Sequence, residues 1–212
     1  MNSKYELLTD ETIKLCDRTL YRIRAIRDFA DVKAGEKGGY IECEANLAIE
    51  GDAWVYGDAQ VYGDAWVYGN AQVCGDAQVY GDAWVCGNAQ VCGDAQVYGN
   101  ARVCGDAQVY GNAWVCGNAR VCGNAWVCGN AHYLCVGPIG SRNDTITFMR
   151  TKEGEIMAIV GCFCGGIEQF EKQVKSRHGD NEHARAYMLA AELARMRIDL
   201  STDKENEETT RE

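Results

Sequence analysis

The sequence predicts an all-β solenoid, with a β cap before it and a small α+β unit after it. Three observations carry this expectation. Fourteen consecutive hexads run from Gly51 to Leu134 as Gly-Asp/Asn-Ala-x-Val-Tyr/Cys, and only the last, Gly-Asn-Ala-His-Tyr-Leu, departs from the pattern. Alanine and valine stand two apart in each regular hexad, the spacing that puts both on one face of a strand. The pattern also changes on either side: alternating β formers precede it and helical spacing follows it.

Within one hexad, Ala53 and Val55 point one way, and Trp54 and Tyr56 the other. Gly57-Asp58 then breaks the strand, because glycine takes positive φ freely and Asp or Asn tolerate it better than most residues. A helix is excluded: a glycine every six residues costs about 1 kcal/mol each relative to alanine, and a period of six fits no helical face. A short strand with one apolar face cannot stand alone. Stacking like coils buries that face and pairs the backbone above and below. Burying each valine contributes about 1.5–3 kcal/mol before conformational entropy is subtracted, so the valines from Val55 to Val127 are the main cohesive term. A weaker copy at Ala45 to Glu50 extends the expected solenoid to residues 41–135.

The chain has 212 residues, a formal net charge of -10, 24 glycines, one proline and 12 cysteines. The acidity argues against nucleic acid as a general partner, since phosphate binding needs clustered cations. No run of about 18 apolar residues is present, so no membrane span is expected. The N-terminal MNSKYELLTDETIK carries no apolar signal segment, and a cytoplasmic location is the expectation. Eight cysteines lie in or just after the repeat, most of them replacing tyrosine at one position. In a reducing compartment this reads as tolerance for a medium-sized residue, with free thiols, and not as a disulfide framework.

The hexads resemble the hexapeptide-repeat left-handed β-helix family, with an aliphatic residue at one position and a small residue four places later. The resemblance implies a left-handed parallel β-helix of triangular section, three hexads to a coil of roughly 18 residues, hence about five coils here. It also implies homotrimers packed along the sides. With that coil length, outward residues fall on three faces. One carries Trp54, Gln72, Gln90, Gln108 and Trp126, with Cys74 and Cys92 beside them. A second carries Gln60, Gln78, Gln96, Trp114 and His132, with a ladder of Tyr62, Tyr80 and Tyr98. The third carries Trp66, Trp84, Arg102 and Arg120, with Tyr68, Cys86, Cys104 and Cys122. Stacked amides and aromatics stabilise in-register strands. Rows of exposed aromatics also mark partner sites. On that second reading Trp66, Trp84, Arg102 and Arg120 form the binding face, for a protein or a flat anionic ligand.

A solenoid needs caps for its end coils. Residues 1–40 supply one: a strand from Thr19 to Arg27, paired with Thr12 to Leu15, before Gly38-Gly39 turns the chain into the first coil. At the other end Tyr133 to Val136 closes the solenoid and 137–144 forms a loop. A hairpin follows (Thr145 to Arg150, Glu155 to Cys162), then a helix over Ile167 to Arg177 ended by Gly179. Asp180 or Asn181 caps a second helix reaching about Ile198, with Ala184, Tyr187, Met188, Ala191, Leu193 and Ala194 at helical spacing. This ββαα unit occupies 136–200, and the polar tail 201–212 is expected to be disordered. VGPIGSRNDTITF (136–148), GCFCG (161–165) and HGDNEHARAY (178–187), with LYRIRAIRDFADVKAGEKGGYIE (20–42), resemble the ends of solenoid proteins of phages and prophages. That family is catalogued as transferase-like on the strength of its repeat.

Several side chains carry candidate chemistry. Cys162, Cys164, His178 and His183 read C-x-C-x13-H-x4-H, residue types that suit zinc, although C-x-C is tighter than the usual spacing. Ordinary core and loop positions account for the same residues. The polar run Ser141 to Asp144 reads first as a turn held by local hydrogen bonds, and Arg142 within it is the candidate for gripping an anion. His132 is the lone histidine of the repeats and the candidate general base, or an ordinary outward residue at the cap. The family's acyltransferases and carbonic anhydrases need more histidine than this. The expectation is therefore a non-catalytic, phage-type β-solenoid in the bacterial host cytoplasm, serving as a rigid binding or assembly module for a host factor or small ligand. The alternative is an acetyl-CoA-dependent acyltransferase, and a third reading is a structural spacer.

Overall fold

The computed structural model describes residues 2–201. The tail from 202 onward, expected to be disordered, lies outside the described residues. Strands β1 (Tyr5–Leu15) and β2 (Arg18–Ala25) form the expected antiparallel pair, with Thr12 opposite Tyr21 and Leu15 opposite Arg18. Strand β3 (Lys37–Ile41) lies antiparallel to β2 and parallel to the repeat strand Gln60–Val61. The cap is thereby hydrogen-bonded into one of the solenoid's sheets. Gly38 and Gly39 do not turn the chain, as the sequence suggests, but lie inside β3. A Cβ at Gly38 would come within 2.5 Å of the Val55 carbonyl oxygen, so glycine is needed there for close approach of two coils.

Thirteen two-residue strands, from Trp54–Val55 to Trp126–Val127, form the body of the solenoid. They fall into three parallel sheets, and every partner is 18 residues away, as in Trp54 with Gln72, Gln60 with Gln78 and Trp66 with Trp84. The valines from Val55 to Val127 are fully buried, and the alanines at Ala53 to Ala125 almost so. The protein is a parallel β-solenoid of about five turns with a small C-terminal domain of one sheet and two helices. The corner glycines from Gly51 to Gly123 have positive φ, which lets the backbone bend without a Cβ clash. On the outer faces Tyr62, Tyr80 and Tyr98 stack with ring centroids 5.0 Å apart. Gln90 donates to Gln72 at 3.3 Å.

Three expectations for the coils are corrected. Trp54 does not face outward to solvent: the cap folds over its face, and the indole is buried with Phe29 at 5.2 Å and Tyr5 at 6.1 Å between ring centroids. His132 is not an outward residue of the second face. The last hexad turns into a 3-10 segment (Asn130–His132), and the imidazole is drawn inward to 6% exposure. Its Nδ1 accepts the Cys128 amide N–H at 3.0 Å, and Nε2 lies 3.1 Å from the Arg150 guanidinium. Finally, the repeat cysteines are not all thiols. Cys74 and Cys92 form a disulfide, because in-register coils bring their Cα atoms to 4.5 Å.

The C-terminal domain has four antiparallel strands instead of the expected two: β17 (Tyr133–Ile139), β18 (Asp144–Arg150), β19 (Ile156–Val160) and β20 (Phe163–Gly166). Here β4 to β16 denote the thirteen repeat strands. Tyr133 to Val136 belong to this sheet, paired with β18, and Tyr133 and Cys135 pack on the solenoid core. One sheet face sends Met149 and Ile159 into the solenoid core. The other sends Ile146, Phe148 and Ala158 against helices α1 (Ile167–His178) and α2 (Glu182–Arg197). Asn181 caps α2, its side chain accepting the Ala184 amide N–H at 2.9 Å. Of the predicted core positions of α2, Ala184, Tyr187, Ala191 and Ala194 are buried and Leu193 is exposed. No helix among the described residues is long and apolar enough to cross a membrane.

Candidate functional site

The C-terminal sheet, α1 and the start of α2 leave a cleft of about 310 Å³ between them. Helix α1 lines it with Phe170, Gln173, Val174, Arg177 and His178, residues at i, i+3, i+4, i+7 and i+8, one face of the helix. The sheet contributes Val160 and Phe163, the turn between them Cys162, α2 contributes Tyr187, and the turn after β17 contributes Ser141 and Arg142. The aromatic wall is a linked set: Phe170 lies 5.7 Å from Phe148, 5.6 Å from Phe163 and 5.6 Å from Tyr187. Edge-to-face pairs of this kind hold the rings in place.

The polar side of the cleft is basic. Arg142 crosses the β19–β20 turn so closely that a Cβ at Gly161 would meet its Nη2 at 2.1 Å, and Gly161 has a positive φ. Its counter-ion, Asp144, stands 3.8 Å away at the edge of an ion pair, and the Arg142 side chain remains largely exposed. Arg177 and His178 supply further cationic or donor groups from the end of α1. Burial raises the Tyr187 hydroxyl above its ordinary pKa, with Asp144 adding to the rise and Arg142 opposing it. The phenol therefore stays protonated near neutral pH and can donate a hydrogen bond. Such an arrangement can grip a compact carboxylate or phosphate by guanidinium hydrogen bonds, with an apolar or aromatic body against the rings.

The residues singled out from sequence divide between this cleft and the solenoid. Arg142, Cys162 and His178, which the sequence assigned to two separate sites, line the same cleft. His183 follows next to it, its ring centroid 6.1 Å from that of His178. Cys164 lies in β20, with Sγ 3.8 Å from the Met157 sulfur, whereas Cys162 lies outside the strand, in the β19–β20 turn. Among the described residues no group of three or more His, Cys, Asp or Glu side chains is placed to hold a metal ion, so the zinc set of Cys162, Cys164, His178 and His183 is not assembled. Trp66, Trp84, Arg102 and Arg120 do form one ladder, as expected. Much of it is internally occupied: Trp66 meets Trp84 edge-on at 6.0 Å, the Arg102 guanidinium sits 4.5 Å over the Trp84 ring, and Arg120 Nη1 donates to the Gly161 carbonyl at 2.8 Å. Arg120 and Arg142 thus brace the same turn from its two sides.

Sequence reasoning did not assign Gln173, Arg177, Phe170 or Tyr187 to a site. The signal was present in the helical spacing of Phe170, Val174 and Arg177, which places a cation on the buried stripe of α1.

Residues 59–75, 71–87, 77–93, 89–105, 95–111 and 113–129 each match the family model described as the YdcK beta solenoid repeat. No curated protein matches the chain. The matched windows coincide with the stacked two-residue strands, and by sequence and by architecture alike this chain is a β-solenoid repeat protein.

Proposed function

We propose that this protein is a non-catalytic, phage-type hexapeptide solenoid that works as a rigid binding module in the host cytoplasm, and that its C-terminal cleft captures a small anion carrying an apolar or aromatic group. The observation that carries this reading is the convergence of Arg142, Arg177 and His178 on a cavity walled by Phe163, Phe170 and Tyr187. Charge supplies attraction and orientation, and the rings supply buried area. The solenoid would hold the site at a fixed distance from whatever the other end contacts. In a side-by-side homotrimer, Trp66 and Trp114, 39% and 49% exposed, offer the apolar surface for packing.

Titration calorimetry of the full-length protein with phenyl phosphate and with benzoate tests the cleft. Saturable binding is expected, falling at least about tenfold in Arg142→Gln and in Arg177→Gln, the loss of one charge-assisted hydrogen bond or more. Absence of heat with both probes, or binding indifferent to both substitutions, overturns the reading. The acyltransferase alternative would require His132 to act as base towards an acceptor in solvent. Its burial and the engagement of both ring nitrogens speak against that role.

A further inference from the structure

A second cluster lies on the third face of the solenoid, away from the cleft. Cys86, Cys104 and Cys122 occupy successive coils, each two residues after Trp84, Arg102 and Arg120, whose strands pair in register. All three are half-buried free thiols. Register puts Cys104 between Cys86 and Cys122 in the stack, with Tyr68 one coil before Cys86. Arg102 and Arg120 stand two residues before Cys104 and Cys122 on the same face.

The first face shows what this backbone setting permits. Cys74 and Cys92 stand in the same one-coil relation and are bonded. Their amides donate to Val91 and Val109 at 2.9 Å, and the amides of Cys86 and Cys104 donate to Val103 and Val121 at the same 2.9 Å. The two stacks differ in their flanks. Gln72 and Gln90 precede the bonded pair, whereas Arg102 and Arg120 precede Cys104 and Cys122.

We propose that Cys86, Cys104 and Cys122 form a thiol–disulfide exchange site, with Cys104 as the attacking thiolate, a stacked neighbour as the resolving thiol, and a small-molecule disulfide as substrate. Interaction with the stacked Cys122 thiol is the main influence holding the Cys104 thiol below its ordinary pKa, with Arg120, Cys86 and Arg102 assisting against burial. Cys86 is pushed up by burial, and Cys122 by its interaction with Cys104 and by burial, so both wait in the protonated form. In the first step the Cys104 sulfur attacks one sulfur of RS–SR. The S–S bond breaks, RS⁻ leaves and takes a proton from water, and a Cys104–S–SR bond forms. In the second step Cys122 or Cys86 gives up its proton, its sulfur attacks Cys104 Sγ, and the second RS⁻ departs with that proton. One small disulfide is reduced to two thiols while two protein thiols become one disulfide.

The test is oxidised glutathione added to the full-length protein at neutral pH, with acid quench, alkylation and peptide mass spectrometry. The glutathione adduct is expected first on Cys104, and it should decay into a Cys104–Cys122 or Cys86–Cys104 disulfide with two glutathiones released. The initial rate should reach half its maximum below the ordinary thiol value of about 8.5. Cys122→Tyr should leave the Cys86–Cys104 pair as the sole product and slow the first step, because the main influence on Cys104 is gone. Cys104→Tyr should stop the reaction on this face; tyrosine already occupies this column at Tyr68, so the coil tolerates it. The proposal is overturned if wild-type Cys104 reacts no faster than Cys86 and Cys122, or if its adduct persists without forming a protein disulfide. Neither readout depends on a variant folding or on ligand binding in the cleft.

Discussion

The two ends of the solenoid face the same problem, an open strand edge above an exposed core, and meet it differently. At the N-terminal end the cap continues a repeat sheet: β3 pairs Tyr40 with Gln60 and Ile41 with Val61. Its polar groups satisfy the backbone of the first coil. The Lys4 ammonium donates to the carbonyls of Ala53 at 2.6 Å and Ala48 at 3.2 Å, Tyr5 donates to Leu47 at 2.8 Å, and Asn46 donates to Gly63 and Ala65 at 2.9 Å each. Tyr5, Ile23, Ala25 and Val32 merge with the valine core. At the C-terminal end a sheet covers the last coil with one face, through Met149 and Ile159 and bonds such as the Arg120 amide to Thr147 at 3.0 Å and the Lys152 amide to Asn124 at 3.1 Å, and builds a second core on its other face. A cap that merely prolongs a sheet adds no layer. A cap with helices on its far face does, and the crevice between those layers is where a ligand site can form.

The sharpest way to break this comparison is to excavate each end. Trp54→Ala removes the largest side chain of the N-terminal core and is expected to cost about 3–5 kcal/mol. That loss should lower the melting of the coils themselves. Phe170→Ala should cost about the same, but as an early transition of the C-terminal domain that leaves the β-sheet circular dichroism of the coils intact. A single shared transition in both variants would mean that the two caps are energetically one unit.

Next in size is a pH effect confined to the N-terminal end. Burial lowers the Lys4 pKa from 10.5 to about 8. The unfolded chain then binds more protons than the folded one between those values, so this group's contribution to stability rises with pH through that window. From about pH 8 to about pH 9.5 this group's gain is on the order of 1–2 kcal/mol. Thiols that the fold holds protonated, such as Cys86 and Cys122, lose stability over the same window, so the Lys4 gain is read as the difference between wild type and Lys4→Met in urea unfolding at the two pH values. A difference that does not grow with pH would assign the effect elsewhere. The smallest effect belongs to the other end: Asn181→Ala deletes the α2 cap at a cost of about 1 kcal/mol. Hydrogen exchange should locate that loss in α1 and α2, and equal loss across the coils would contradict the separation of the two cores.

The solenoid was legible because one physical rule is repeated many times. A six-residue period with Ala and Val two apart admits a stacked strand and little else, and register then places Gln72 under Gln90 and Trp66 under Trp84. The helices of the last domain were legible from the spacing of Ala184, Tyr187, Ala191 and Ala194 and from the Asn181 cap. The errors gather where distant segments meet. Trp54 obeys the alternation of its hexad but is covered by Phe29 and Tyr5, residues no local pattern connects to it. His132 leaves the register because the chain turns into the next domain there. Arg142 and His178 each looked functional alone, yet their meeting depends on how the β19–β20 turn packs beside α1.

By itself, then, the amino-acid order determined the strand–corner hexad, the inward valines, the laddered outer faces and the two terminal helices, all consequences of short-range periodicity and backbone preference. Tertiary structure decided which ladder cysteines bond, which tryptophan is covered, and that two arginines and a histidine share one cleft. Those outcomes depend on side chains brought together across many residues by packing, and packing is the one term that no local spacing encodes.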